Sequence, residues 1–261
     1  MRNISTYIKL YSVALFLLWC VQLRSEEFPK ASATAPSHAQ WDALLKKHVR
    51  SDGLVDYKGF TADKNKLEEY LDLLSNNAPD RKTWSEEEQL AYWINAYNAF
   101  TIKLIVDNYP LKSIKDLNPV LSIPTVRSIW SKKLFKIGGK STSLDDIEHG
   151  ILRKEFEEPR IHFAVNCASF SCPVLRAEAY IPGKINEQLE EQTVLFINDD
   201  KRNVITKDNP QVSKIFSWFT KDFKRNGSVI DFLNQYTKNV QIDRGADLDY
   251  LDYNWRLNEA E

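Results

Sequence analysis

The stretch 85–108, SEEEQLAYWINAYNAFTIKLIVDN, constrains the fold of this chain more than any other. It opens with Ser85 and Glu88 in the S-x-x-E spacing of a capping box, where each side chain satisfies the other residue's backbone N–H. It stops before Pro110, because proline disfavours helical geometry in the residue that precedes it. Between those ends, Leu90, Trp93, Ile94, Tyr97, Phe100, Leu104, Ile105 and Val106 leave no continuous polar face. A helix that is apolar all round belongs at the centre of a fold, so the rest of the chain must wrap it. Asn95 and Asn98 lie inside this helix, and a buried amide without a partner costs about 1–3 kcal/mol. They either brace neighbouring backbone or, beside a reactive Cys–His pair, fix an imidazole tautomer or donate to an oxyanion.

The surrounding pattern is mostly helical. Helices are expected over 38–49, over 63–75 (Leu67, Tyr70, Leu71 and Leu74 at helical spacing), over 143–156 behind a second capping box at Ser143 and Asp146, and over 182–198, 217–225 and 228–237. A hairpin is expected over 134–144 around Gly138-Gly139. Apolar, β-favouring residues predict a buried strand over 161–165, with further short strands over 54–57, 203–206, 211–215 and the aromatic tail 247–258. Helices that outnumber short, scattered strands indicate an α+β fold, with helices around a small, mostly antiparallel sheet.

The N-terminus reads as a leader. Arg2 and Lys9 precede an apolar run over 10–23, which is too short for a comfortable membrane span and fits a secretory signal over 1–25. Cys20 follows Trp19, where a lipoprotein box needs a small residue, so an apolar cysteine inside a discarded signal is the better reading. Residues 26–37 read as a flexible linker with two prolines, and 38–261 as one globular domain. Export, to a periplasm or beyond, is the expectation. The 35 basic and 36 acidic residues leave a net charge of −1. That balance argues against a nucleic-acid partner and gives no polybasic handle for anionic lipid. No membrane span is expected in the mature chain.

Chemistry concentrates in RIHFAVNCASFSCP, residues 160–173, where an apolar run gives way to small polar residues around Cys167 and Cys172. Activating a thiolate requires a depressed pKa, from a helix N-terminus, a cation or a histidine. Cys167 lies just past the expected strand, and Cys172 precedes Pro173 in an N-cap-like position. The same two cysteines can instead be a small structural disulfide or buried apolar groups. Of the four histidines, His38 sits at the linker edge and His48 on a lysine-rich helix. Strand alternation would put His162 and Cys167 on opposite faces, making His162 an awkward partner. His149 falls about 140° from the centre of its helix's apolar face, beside Asp145 and Arg153 at i−4 and i+4. It is either a solvated side chain or a base lining a cleft. A zinc reading of Cys167, Cys172, His149 and His162 has poor ligand spacing, so neither metal nor cofactor is expected.

Four motifs then appear in order: W-x-N-A-Y-N (Trp93 to Asn98), E-H-x-x-L-R (Glu148 to Arg153), H-F-A-x-x-C-x-x-x-S-x-P (His162 to Pro173) and Y-x-W-x-L-N (Tyr253 to Asn258). Together they resemble the bacterial and plant domain-of-unknown-function family 547, over most of the chain from about Ser85 onward. Its bacterial members look like single exported domains, and that type, without the leucine-zipper-like N-terminal part of plant members, is the expectation here. The resemblance favours Cys167 over Cys172, whose place can be taken by Ser. The family pattern often has Gly after the first Cys, where this chain has Ala168, so a positive φ is not expected at this position. The Cys, His and Asn types suggest kinship with papain-like or transglutaminase-like hydrolases. The resulting expectation is a cysteine-dependent hydrolase or acyltransferase acting on amide or thioester bonds in peptides or envelope material. Cys167 would be the nucleophile, His149 the base, and Asn95 or Asn98 a donor, with Cys172, His162, Arg153 and Ser171 in support. The rival is a non-catalytic envelope binding or scaffold domain, for which 7 Trp, 11 Tyr and 13 Phe could line a groove.

Overall fold

A computed structural model describes residues 34–119 and 128–260. The leader, Cys20 and most of the expected linker fall outside the described residues. The long central helix forms as expected. It covers Glu86–Asn108, with both capping-box hydrogen bonds in place and three glutamates in its first turn, where the helix dipole favours negative charge. Every residue from Leu90 to Ile102 is buried. Helices α1 (Ala39–His48), α2 (Tyr57–Ala62) and α3 (Lys64–Asn76) lie along one side, α2 and α3 directly against this central α4. The hairpin β1 (Phe135–Ile137) and β2 (Lys140–Thr142) pairs in antiparallel register, with Phe135 opposite Thr142, and turns at Gly138 and Gly139, both at positive φ.

The chain is α+β. Its strand content is divided between this hairpin and a parallel pair, β3 (Gln211–Val212) and β4 (Asp249–Tyr250). Ile215 opens a helix rather than extending β3. The expected tail strand is reduced to β4; beyond it, single bridges tie Leu257 to Ser169 and Glu259 to Val55.

Two apolar clusters form. The first is built on α1 to α4. The second is rich in phenylalanine: Phe163, Phe196, Phe216, Phe223 and Phe232 pack with rings 4.9–6.2 Å apart. It draws on α7 (Ile185–Ile197), α8 (Ile215–Trp218), α9 (Thr220–Phe223) and α10 (Val229–Tyr236). α8 and α9 replace the single helix expected over 217–225.

One correction bears on the site. Residues 161–164 form a helical turn, α6 (Ile161–Ala164), and Val165 after it is extended. The β-favouring residues are overridden by tertiary burial: Ile161 and Ala164 enter the first cluster while Phe163 enters the second. A strand would have sent Ile161 and Phe163 to the same face. The alternation that separated His162 from Cys167 therefore does not exist.

Candidate active site

The cysteine loop is built by side-chain amides. Asn98 Nδ2 donates to the Ala164 carbonyl at 2.9 Å, and its Oδ1 accepts from the Asn166 N–H at 2.8 Å, so one amide holds the chain on both sides of Val165. Asn166 repeats the device. Its Oδ1 accepts from the Ala168 N–H (2.9 Å) and from Asn258 Nδ2 (3.3 Å), and its Nδ2 donates to the Pro173 carbonyl (2.7 Å). Tyr57 Oη donates to Asn258 Oδ1 at 2.6 Å, anchoring the network to α2. Arg202 donates to the carbonyls of Cys172 and Phe170, at 2.8 and 2.9 Å. Ser171 Oγ accepts from the Asn254 N–H and so ties the loop to the tail. Asn95 braces a different segment, bonding both backbone groups of Tyr180.

Held in this way, the loop makes a sharp corner. Ala168 is fully buried at φ 60°, a left-handed conformation that costs a residue with a Cβ about 1–2 kcal/mol. The positive φ is thus present although the residue is Ala rather than Gly. Non-glycine residues strained in this way cluster at functional sites.

The corner brings the two sulfurs together. Cys167 Sγ lies 2.9 Å from Cys172 Sγ, 3.2 Å from Ser169 Oγ and 3.3 Å from Tyr253 Oη, and both thiols are free. The Cys167 N–H points at Cys172 Sγ at 2.9 Å. Hydrogen bonding from Cys172, helped by Ser169 and Tyr253, pulls the Cys167 thiol below its usual pKa against the effect of burial. Burial pushes Cys172 well above its own. Of the two, the partly exposed Cys167 is therefore the more readily ionised and the buried Cys172 the one that holds its proton.

Facing the cysteines is a wall of acid–base groups. Residues Asp146–Leu152 wind as a π-helix and continue as α-helix over Arg153–Glu155 (α5), behind the expected Ser143–Asp146 capping bonds. The wider π turn changes which side chains share a face, and such turns recur at functional sites. Here both Glu148, buried, and His149, half exposed, border one cavity of about 550 Å³, together with His162, Cys167 and Cys172. Arg153 Nη1 lies 3.1 Å from His149 Nδ1. Asp145 Oδ1 is 3.9 Å from the other ring nitrogen.

His162 is placed more tightly. It stacks on Phe219 with ring centroids 3.9 Å apart, and its Nε2 lies 2.8 Å from Asp222 Oδ2, an oxygen that also accepts from Arg153 Nε at 2.6 Å. Burial opposes ionisation of Asp222, but the bonds from His162 and Arg153 outweigh it and hold the carboxyl well below the usual range. Burial lowers the His162 pKa in turn, more than Asp222 raises it. The network assigns a neutral imidazole with its proton on Nε2. Nδ1 is buried and has no partner.

The open side of the cavity is aromatic. Trp218 stacks on Trp255 at 5.9 Å, Trp130 and Tyr253 pack on Trp255 at 5.7 and 4.6 Å, and Lys115 Nζ sits 4.5 Å over the Trp255 ring. Among the described residues, no group of three His, Cys, Asp or Glu is placed to hold a metal ion, and no helix is long and apolar enough to cross a membrane.

The cavity thus gathers Cys167, Cys172, His149 and His162. Asn98 acts one step back, through the loop, Ser171 ties the loop to the tail, and Asn95 braces a different segment. Among the described residues, no imidazole hydrogen-bonds to Cys167. Sequence reasoning passed over Glu148, Tyr253, Ser169 and Asp222. Glu148, Ser169 and Tyr253 stood within the recognised motifs; Asp222, sixty residues from His162, had no local signal.

Neither the comparison with curated proteins nor that with solved structures returned a match. Residues 81–197, which carry α4, the π turn and the cysteine loop, match the family described as "Protein of unknown function, DUF547".

Proposed function

We propose that the protein is a cysteine-dependent hydrolase or acyltransferase for amide or thioester bonds. The observation that carries this reading is the placement of Cys167, its pKa lowered, in a cavity shared with two imidazoles and a buried carboxylate. The Cys167 thiolate adds to a carbonyl carbon. A histidine of the opposite wall takes up the proton of the Cys167 thiol and gives it to the leaving amine or thiolate, and water or an acceptor then resolves the thioester. Of the two histidines, His162 is the better oriented, since Asp222 fixes its tautomer and leaves Nδ1 free. His149, the base suggested by sequence, borders the same space but is held by Arg153. Exported peptide or envelope material is the proposed substrate, on the strength of the leader-like N-terminus.

The test is alkylation by iodoacetamide at neutral pH. Cys167 should react faster than free cysteine, and C167S should stay folded by circular dichroism and lose that labelling. The rate should fall in H162Q more than in H149Q. Reaction no faster than a free thiol would return the protein to the binding or scaffold reading.

A further inference from the structure

The mechanism above uses one sulfur, and the fold supplies two. Cys172 is buried, 2.9 Å from Cys167, and both ends of the intervening corner are clamped by Asn98, Asn166 and Arg202. Acyl transfer needs no such neighbour. The positive φ at Ala168 turns the chain back so that residues five apart meet through their side chains.

We propose that Cys167 and Cys172 are a dithiol–disulfide couple that reduces organic disulfides, with Cys167 as the attacking and Cys172 as the resolving thiol. This inference shares with the proposed function only the nucleophilic character of Cys167. Both sulfurs border the cavity but Cys167 is the more exposed, and the space of about 550 Å³ with aromatic walls admits a small organic disulfide. The Cys167 thiolate attacks one sulfur of the incoming disulfide, whose S–S bond breaks and releases a thiolate. Cys172 then gives up its proton to that thiolate and attacks the Cys167 sulfur. A second thiolate leaves and takes up the proton that Cys167 had lost to solvent. The protein goes from dithiol to disulfide while one disulfide becomes two thiols. Attack is ordered because Cys167 is the partly exposed sulfur and Cys172 the buried one, and resolution is fast because the second sulfur is already in place. The closed loop is short, so the disulfide adds little unfolded-state entropy and remains open to reduction. Closure also removes the acyl nucleophile.

The probe is glutathione disulfide with the full chain, read by intact mass and peptide mapping. Wild type should lose two hydrogens, retain no glutathione, yield a peptide linking Cys167 to Cys172, and recover on treatment with dithiothreitol. C172S should trap glutathione on Cys167, and C167S should take none on Cys172. A wild-type protein that retains glutathione, pairs either cysteine with Cys20 or remains a dithiol would overturn the proposal. The two readings fail separately. Fast alkylation of Cys167 without a Cys167–Cys172 disulfide removes the redox couple alone. A disulfide that forms readily while alkylation of Cys167 stays slow removes acyl transfer alone.

Discussion

The two sides of the cavity are built on opposite plans. On the cysteine side nearly every polar group has a partner: Asn98, Asn166, Asn258 and Arg202 account for the backbone of the loop, and the strain at Ala168 is held in place by those bonds. On the histidine side the groups are under-committed. His162 keeps an unpaired ring nitrogen, His149 is half solvated, and the backbone winds as a π-helix. A nucleophile must be positioned, and a rigid loop does that. A group that moves protons needs a vacant lone pair, and full satisfaction would remove it. The contrast indicates that the fold fixes the sulfur and leaves the proton carriers free to act.

The strongest way to break this comparison is to remove the clamp. N166A leaves the Ala168 N–H, the Pro173 carbonyl and Asn258 Nδ2 without their partner, and should cost on the order of 4 kcal/mol by urea unfolding. A loss below about 1 kcal/mol would mean that the loop is not held as described. On the other wall, D222N keeps the shape but takes the charge from the partner of His162 and Arg153. It should cost about 2–3 kcal/mol and slow alkylation of Cys167 in proportion to the role of His162.

The third test is acidity. His162 has a lowered pKa in the fold, so the unfolded chain binds the extra proton first. Its contribution is complete above the unfolded value near 6.5 and is lost as pH falls through the lowered folded value. Asp222, also lowered, keeps its contribution until pH drops below the ordinary carboxylate range. The unfolding midpoint should therefore fall between pH 7 and about pH 5, and less so in H162Q. His38, buried and lowered to about 4, titrates through the same window, so the comparison belongs in an H38Q background. Equal slopes with and without His162 would contradict its neutral burial. The smallest effects come last. A168G should relieve the left-handed strain and stabilise by up to about 1 kcal/mol, whereas H149Q should change stability by less than about 0.5 kcal/mol. A destabilising A168G would place the loop's order in the Ala168 side chain rather than in the amide network.

Local signals were legible where the interaction is local. The capping boxes at Ser85 and Ser143, the turn at Gly138-Gly139 and the buried run of α4 pair residues only a few positions apart, and all formed where expected. The strand expected over residues 161–165 failed because β-branched and aromatic residues report burial as much as extension; two clusters, one on each side, made a helical turn the better way to bury Ile161 and Phe163. The angular position of His149 assumed an α-helix, and the π turn altered it.

By itself, the sequence determined a central apolar helix, a helix-rich α+β chain, a match to one family over residues 81–197, and a loop in which cysteine chemistry was worth seeking. Composition and short-range periodicity carry that information because capping, turn formation and the choice of which residues to bury act within a few positions. The tertiary structure alone decided which side chains share the cavity. It joined His162 to Asp222, set Cys172 against Cys167, and turned Asn98 from a candidate donor into the clamp of the loop. Those pairings follow from how two apolar clusters pack around one corner of the chain, and contacts across such distances leave no trace in local spacing.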